Sequence, residues 1–236
     1  MAREADAKTI LGSVWLRAEP ESTKAPLTRQ DIVDAAIQLL DKEGLDGLSM
    51  RRVAVELGTA ATSALYWRVA NKNDLLELAV DEILAEALVP TEDAGDWRDQ
   101  LGVLGLAAYE VFARHPWATQ LLASHAGLGP NYQSFTEQLV EILAGAGFKG
   151  VHLDAAVSAV FHYVIGAAVT DAAWHTTIQR SGLADQQWAE AAGDHLGIAP
   201  ATLSAYLSAD APTGPATRFS TGLRVILVGL RPRRLS

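Results

Sequence analysis

The sequence predicts an all-α protein, with a three-helix helix-turn-helix domain near the N-terminus and a larger helical domain after it. Apolar residues recur at the spacing of one helical turn along most of the chain. Glycine and proline separate these periodic segments. No segment has the alternation of apolar and polar residues that a half-buried β-strand needs. We therefore expect helices joined by short turns.

The composition is that of an ordinary globular chain of 236 residues, of which 49% are hydrophobic. The chain contains no cysteine, which excludes a disulfide framework, a thiolate metal site and a thiol nucleophile. Its first residues include acids and form no apolar segment, so we expect no signal peptide. The longest uncharged stretch, Ala155–Thr170, is shorter than the ~20 residues of a membrane-spanning helix. We interpret it as a buried core helix of a cytoplasmic protein that does not contact a membrane.

The net charge of −9 is spread unevenly along the chain. Residues 1–76 contain 10 Lys and Arg against 11 Asp and Glu, whereas residues 77–236 contain 9 against 17. The first part is nearly neutral, so local clusters of bases there are able to contact phosphate. Nucleic acid repels the acidic residues 77–236, which suits a domain that is held away from the nucleic acid.

The helical pattern divides the chain into an irregular arm (1–26), a small domain (27–76) and a large domain (77–236). In the small domain, capping residues precede the apolar segments and glycines follow two of them. The first predicted helix starts at Thr28 and stops at Gly44, and the second starts at Ser49 and stops at Gly58. A short third helix is predicted over Thr62–Val69, and a fourth starts at Asn71. The remaining predicted helices are Asn71–Leu88, a helix from Asp96 to before Pro116, a short one from Pro116, Tyr132–Ala144, Leu153–Gln179, Asp185–Ala192, Pro200–Ser208 and Ala216–Leu230.

The second and third helices follow each other after a tight turn, as in a helix-turn-helix DNA-binding motif. The third helix of such a motif enters the major groove, so hydroxyl groups at its start approach bases and nearby cations approach phosphates. The candidate DNA-binding residues are Arg51, Arg52, Thr62, Ser63, Tyr66, Trp67, Arg68 and Lys72.

Structural interpretations of the same residues stay open. The aromatic candidates are of the type that packs a small core, and the cations are of the type that solvates a surface. The arm carries both bases and acids, so it is either a disordered tail or a segment that follows an adjacent minor groove. Trp15, between Val14 and Leu16, indicates that part of the arm packs against another element.

Residues 27–76 resemble the DNA-binding domain of the tetracycline-repressor (TetR) family. The matching segments are Asp31–Ala36, Gly44–Ala54, Leu65–Val69, Asn71–Lys72 and Leu75–Leu76. More loosely, Phe219–Leu230 is similar to the last dimerisation helix of the tetracycline-repressor branch, so the resemblance extends over residues 27–230. The chain departs from the family by one extra residue between Gly58 and Leu65, which shifts base-contacting assignments there by one position.

The resemblance implies a ligand-responsive repressor that binds a palindromic operator as a homodimer. It implies that Tyr66 and Lys72 contact phosphate, that Arg51 lies at the DNA surface, and that Thr62 and Ser63 approach bases. Residues 27–76 then form the DNA-binding domain, and residues 77–236 bind the ligand and dimerise through Leu153–Gln179 and Ala216–Leu230. A small lipophilic effector, such as an antibiotic or a biosynthetic intermediate, would release the operator of an efflux or resistance gene.

The resemblance also implies a ligand cavity among the central helices of the large domain. The candidate lining residues are Leu104, Ala108, Phe112, Leu122, Phe161, His162, Ile165 and Val169. Plain core packing is the alternative for this set, and we expect His162 to be buried. The positions that would hold a magnesium-chelated tetracycline are apolar here, including Leu88, so that ligand is not expected. No two of the six histidines are one helical turn apart, so we expect neither a metal site nor a cofactor.

Other functional classes need other features. An enzyme would need a nucleophile with a base or a pair of carboxylates, and no such constellation is found. A helical small-molecule-binding protein or adaptor with impaired DNA binding remains an alternative, since the extra residue falls in the helix-turn-helix. A DNA-binding activator is a further alternative.

Overall fold

The regular elements of this computed structural model are all helical in the parts of the chain that it describes, which are residues 13–16, 27–58, 62–122, 124–208 and 211–232. The α-helices in these ranges are α1 Arg29–Gly47, α2 Met50–Glu56, α3 Thr62–Tyr66, α4 Lys72–Leu84, α5 Trp97–Arg114, α6 Pro116–Thr119, α7 Pro130–Gly145, α8 Val151–Ser181, α9 Asp185–Leu196, α10 Pro200–Leu207 and α11 Pro215–Gly229. Two 3-10 turns, Val14–Leu16 and Ala85–Ala87, accompany them. The predicted all-α class is confirmed.

The described residues form two compact units. The N-terminal unit extends to Ala85 and also includes Gln120–Ser134. The C-terminal unit consists of Glu86–Thr119 and the described residues from Phe135 onward. Each unit has its own buried apolar core.

The N-terminal unit begins its helices where the capping residues predict. The Thr28 side chain accepts from the Asp31 backbone N–H at 3.1 Å, and the Asp31 carboxylate accepts from the Thr28 N–H at 2.8 Å, which completes a capping box. Ser49 caps α2 and Asn71 caps α4 through equivalent bonds. Gly44 interrupts α1 with a φ of 69°, a conformation that favours glycine. The predicted helix starts at Thr28, Ser49 and Asn71 are confirmed, whereas the predicted stop at Gly44 is a kink, after which α1 continues to Gly47.

The third helix is shorter than predicted. It ends at Tyr66 rather than Val69, because the backbone N–H groups of Arg68 and Val69 both donate to the Leu65 carbonyl, at 2.9 and 2.8 Å. This turn leads the chain into the Asn71 cap of α4. The fourth helix also ends early, at Leu84, and continues as the 3-10 turn Ala85–Ala87.

One segment of the predicted arm packs on α4. The Ser13 hydroxyl and the Val14 backbone N–H both donate to the carboxylate of buried Glu77, the latter at 3.2 Å. The packing that Trp15 indicates is thus confirmed for Val14–Leu16. The other residues of the arm, 1–12 and 17–26, lie outside the described residues.

A second buried acid of α4 caps the first turn of α7, within the N-terminal unit. The Asp81 carboxylate accepts the backbone N–H groups of Asn131 at 3.2 Å and Tyr132 at 2.9 Å. Burial raises the pKa of Asp81, and these hydrogen bonds oppose the shift. A Cβ atom at Gly129 would lie 2.1 Å from the Asp81 carboxylate, so this approach requires glycine.

The C-terminal unit packs α5 and α8 against each other and against α11. The approach of α5 to α11 is close at Gly105, where a Cβ atom would lie 2.7 Å from the Leu223 side chain. The Arg98 guanidinium donates to the Leu227 carbonyl at 3.0 Å and to the Leu230 carbonyl at 3.3 Å, so α5 supports the C-terminal end of α11.

The long helix α8 is buried along one stripe only. Ala156, Val160, Val164 and Ala168 form this stripe, and residues on its other faces are partly or fully exposed in the single chain. The prediction of a buried core helix over Ala155–Thr170 is therefore wrong for the isolated chain.

Among the described residues, α8 is the one helix long and apolar enough to span a membrane, and 22% of its apolar window is buried. Length and composition alone do not distinguish a membrane-spanning helix from a helix whose apolar face packs against protein.

Candidate DNA interface and ligand cavity

The short helix α3 is held by one buried side chain. Leu65 is fully buried beneath it, while Ser63 is exposed and Thr62 is half-buried at its start. A single anchor on a helix of this length leaves the opposite face open to solvent. The hydroxyl groups predicted to approach bases therefore lie at the accessible N-terminal end of α3.

The aromatic residues at the end of α3 do not pack the core. Tyr66 is 50% exposed and Trp67 is 76% exposed. The interpretation of these two residues as core aromatics is thus wrong. Large exposed aromatic side chains beside hydroxyl groups and cations are typical of a contact surface.

The predicted cations of α2 have different surroundings. Arg51 is exposed and has no ion-pair partner among the residues described by the structure. Arg52 binds the Glu43 carboxylate through both terminal nitrogens and donates to the Gly47 carbonyl at 3.0 Å. Hydrogen bonding to Arg52 lowers the pKa of Glu43, and the same contact raises the pKa of Arg52. Arg51 is therefore available to a phosphate, whereas Arg52 fastens α2 to the end of α1.

Lys72, at the start of α4, is half-buried, and its ammonium donates to the Leu45 carbonyl at 3.0 Å. An ammonium carries three donors, so this bond leaves two for a phosphate. Arg68 is half-buried, and its Nε has no hydrogen-bond partner within the described ranges. Residues 59–61, which include the region of the extra residue, lie outside the described residues.

The C-terminal unit contains a cavity of about 260 Å³. Its apolar wall includes Phe112 of α5, Trp174 and Ile178 of α8, and Leu207 of α10. Its polar lining consists of Tyr109, Glu110, Asp171, His175, Asp185 and Arg218. An apolar wall with a few polar groups is the usual form of a site for a small organic molecule.

A hydrogen-bond network orders one side of this cavity. The Tyr109 hydroxyl donates to Asp171 Oδ2 at 2.6 Å, and an Arg218 terminal nitrogen lies 3.3 Å from Asp171 Oδ1. The Tyr109 ring stacks on Phe219 with centroids 4.3 Å apart. Burial, and then the hydrogen bond to Asp171, raise the pKa of Tyr109 well above its usual value. Tyr109 therefore stays protonated and donates.

The cavity includes Phe112 but not the other predicted lining residues. Leu104 and Ala108 are fully buried, and Leu122 belongs to the N-terminal unit. The predicted residues of α8, which are Phe161, His162, Ile165 and Val169, lie outside the cavity, whereas Ala168, Asp171, Ala172 and His175 line it.

His162 is exposed, so the expectation that it is buried is wrong. The helix is apolar almost all round, and periodicity alone does not identify which face of such a helix meets the cavity.

The polar lining of the cavity is not among the residues predicted from the sequence. Tyr109 and Asp171 are far apart in the chain, and only the packing of α5 on α8 brings them together. The described residues contain no group of three or more His, Cys, Asp or Glu side chains suited to a metal ion.

Comparison with known proteins supports both parts of this description. Residues 32–79 match the family described as bacterial regulatory proteins, tetR family, and residues 89–234 match the tetracyclin repressor-like C-terminal domain. An HTH-type transcriptional regulator of Saccharopolyspora erythraea is 41% identical over 69% of each chain. The HTH-type transcriptional repressor DrrR1 of Streptomyces coeruleorubidus is 34% identical over 91% of this chain and 81% of its own.

Solved structures agree with the sequence relatives. Apo ActR from Streptomyces coelicolor superimposes with a TM-score of 0.66 at 30% identity, covering 88% of this chain and 96% of that one. ActR in complex with actinorhodin gives the same TM-score at 28% identity, covering 88% and 96%. The chain thus belongs to the TetR family, and it is a DNA-binding transcriptional regulator rather than an enzyme.

Proposed function

We propose that the chain is a repressor that binds a pseudo-palindromic operator as a homodimer and leaves it when a small molecule fills the cavity. The observation that carries the DNA-binding part is the open face of α2 and α3. On this face Arg51, Ser63 and Tyr66 point away from the core that Leu65 anchors.

The contacts on this face sort into two kinds. Thr62 and Ser63 at the start of α3 approach base edges in the ~12 Å major groove. Arg51, Tyr66 and Lys72 surround them and bind phosphates, which fixes the position of α3 on the duplex. Arg52 contributes by holding α2 in place through Glu43.

Apolar surface that the single chain leaves exposed supports dimerisation. On α11, Val225 is 70% exposed and Val228 is 57% exposed, and α8 exposes Val169. Gly166 and Gly229 have open space around the position of a Cβ atom, which allows a partner helix to approach closely. Pairing of α8 and α11 with their copies would bury these residues in a four-helix interface. The two-fold axis of such a dimer places two α3 helices roughly 34–36 Å apart, in successive major grooves.

The effector is proposed to bind in the cavity lined by Phe112, Trp174 and Tyr109. ActR, a structural relative, has been solved in complex with actinorhodin and with (S)-DNPA, which supports binding of an effector by this chain as well. A coupling of ~1–3 kcal/mol between the two sites is typical of such regulators. Several relatives are tetracycline repressors, which supports an efflux or resistance gene as the target and the cytoplasm as the place of action.

A mobility-shift assay with DNA flanking the gene of this protein tests the proposal. We expect a complex that resists an excess of unrelated DNA, and transcription from that fragment in vitro should fall when the protein is added. Equal affinity for the flanking and the unrelated DNA would refute operator binding and favour a ligand-binding protein without DNA function. Increased transcription would show an activator.

A further inference from the structure

The charged groups that line the cavity are mostly acidic. Glu110, Asp171 and Asp185 face it against one guanidinium, that of Arg218, which leaves a formal charge of −2 when His175 is neutral. Glu110 lies on α5 and Asp185 is the first residue of α9, so the acids come from separate helices. A lining of this sign attracts a cation and repels an anion.

The guanidinium of Arg218 is already engaged. One terminal nitrogen donates to the carbonyls of Tyr206 and Thr213, the latter at 3.0 Å, and the other lies 3.3 Å from Asp171. The guanidinium also lies over the Tyr206 ring, 3.4 Å from its centroid. These contacts use three of the five N–H donors of the guanidinium, and Asp171 balances its charge, so Arg218 attracts a ligand carboxylate less than an unpaired guanidinium would.

Of the three acids, Asp171 is already bound by Tyr109 and Arg218, whereas Glu110 and Asp185 are available to a ligand. Glu110 and Asp185 are exposed, and neither forms an ion pair or side-chain hydrogen bond with the described part of the chain. Because Glu110 and Asp185 are exposed and also line the cavity, they lie at the open side of the cavity. A protonated amine would gain ion pairs there without displacing an internal contact.

The apolar wall of the cavity contains three aromatic rings. Phe112, Tyr109 and Trp174 all line the cavity, and Trp174 is held by an edge contact with Trp188, with centroids 5.8 Å apart. Aromatic rings pack well against a planar apolar ligand, and their faces also attract a nearby cation.

From this arrangement we infer that the cavity takes an aromatic molecule that carries a protonated amine, an inference that rests on the proposed role of the cavity as the effector site. The aromatic part lies against Phe112 and Trp174, and the ammonium lies between Glu110 and Asp185.

Three naphthalene probes of similar size test the inference by calorimetry on the full chain at neutral pH: 2-(1-naphthyl)ethylamine, 2-(1-naphthyl)ethanol and 3-(1-naphthyl)propanoate. Two partly exposed ion pairs predict that the amine binds about fivefold tighter than the alcohol, and that the carboxylate binds more weakly than both. The double variant Glu110→Gln with Asp185→Asn should remove the preference for the amine and retain the affinity for the alcohol. Glu141→Gln, an exposed carboxylate of α7 outside the cavity, is the matched control.

The outcomes separate the inference from the proposed function. If the carboxylate binds as tightly as the amine, or if the preference survives in the double variant, the charge inference is overturned while the cavity remains a ligand site. Ala172→Phe places a ring in the cavity and should abolish binding of all three probes. Binding that persists in this variant, or an absence of binding to the unmodified chain, overturns the assignment of the cavity as the effector site, and operator binding remains a separate result.

Discussion

Arg51 and Arg52 are neighbours in sequence, but the structure predicts that only Arg51 contributes to the salt dependence of DNA binding. Arg51 has no ion-pair partner among the described residues, whereas Arg52 is bound through both terminal nitrogens to Glu43. Each phosphate that a cation neutralises adds about 0.9 to the slope of log K against log salt. Arg51→Gln should therefore lower the slope by about 1.8 for a dimer with two such contacts.

This difference in slope has a measurable effect on affinity. Between about 50 and 200 mM KCl, the loss of affinity should be about 12-fold smaller for Arg51→Gln than for the unmodified protein. Fluorescence anisotropy with a labelled operator fragment over a series of KCl concentrations measures both slopes.

Arg52→Gln is the matched control, because it removes the same charge from the adjacent position. It should leave the slope nearly unchanged and lower the melting temperature, since it releases Glu43 and the Gly47 carbonyl. Equal changes of slope in the two variants, or no change in Arg51→Gln, would refute the assignment of roles.

Four further predictions concern other parts of the molecule. Lys72→Ala should weaken operator binding and lower the salt slope by about one per protomer, and an unchanged slope would show that Lys72 only supports the Leu45 carbonyl. Val225→Asp should convert a dimer into a monomer in light scattering, because it places a charge in the exposed apolar face of α11; a dimer that persists would locate the interface elsewhere. Asp81→Asn replaces one of two acceptors at the start of α7 and should cost about 1–3 kcal/mol in urea unfolding, so an unchanged midpoint would contradict the importance of this cap. The raised pKa of Tyr109 means that its contribution to stability is complete below about pH 10 and is lost as the pH rises further, so thermal unfolding should show a smaller alkaline loss for Tyr109→Phe than for the unmodified chain.

Local features of the sequence predicted the secondary structure well. Thr28, Ser49 and Asn71 are capping residues followed by periodic apolar segments, and each caps a helix in the structure. Gly44 supplies the positive φ that ends the regular part of α1. These signals act within a few residues, so they are visible without tertiary information.

The candidate site was only partly predictable, because its parts depend on contacts between distant residues. The open face of α3 follows from the helix-turn-helix pattern, but the pairing of Arg52 with Glu43 requires the packing of α2 on α1. On α8, both Ile165 and Ala168 are apolar, and only the positions of α5 and α11 decide which side of the helix is buried. The cap that Asp81 gives to α7 joins residues 50 and 51 positions apart and leaves no local sequence signal.

The most direct test of operator binding by a two-fold dimer is a hydroxyl-radical footprint combined with the mass of the protein–DNA complex. We expect two chains on one duplex and two equivalent protected segments, whose centres are separated by about one helical turn, roughly 34–36 Å, or by a whole multiple of it. One chain per duplex, or a single protected segment without two-fold symmetry, would contradict the paired presentation of α3.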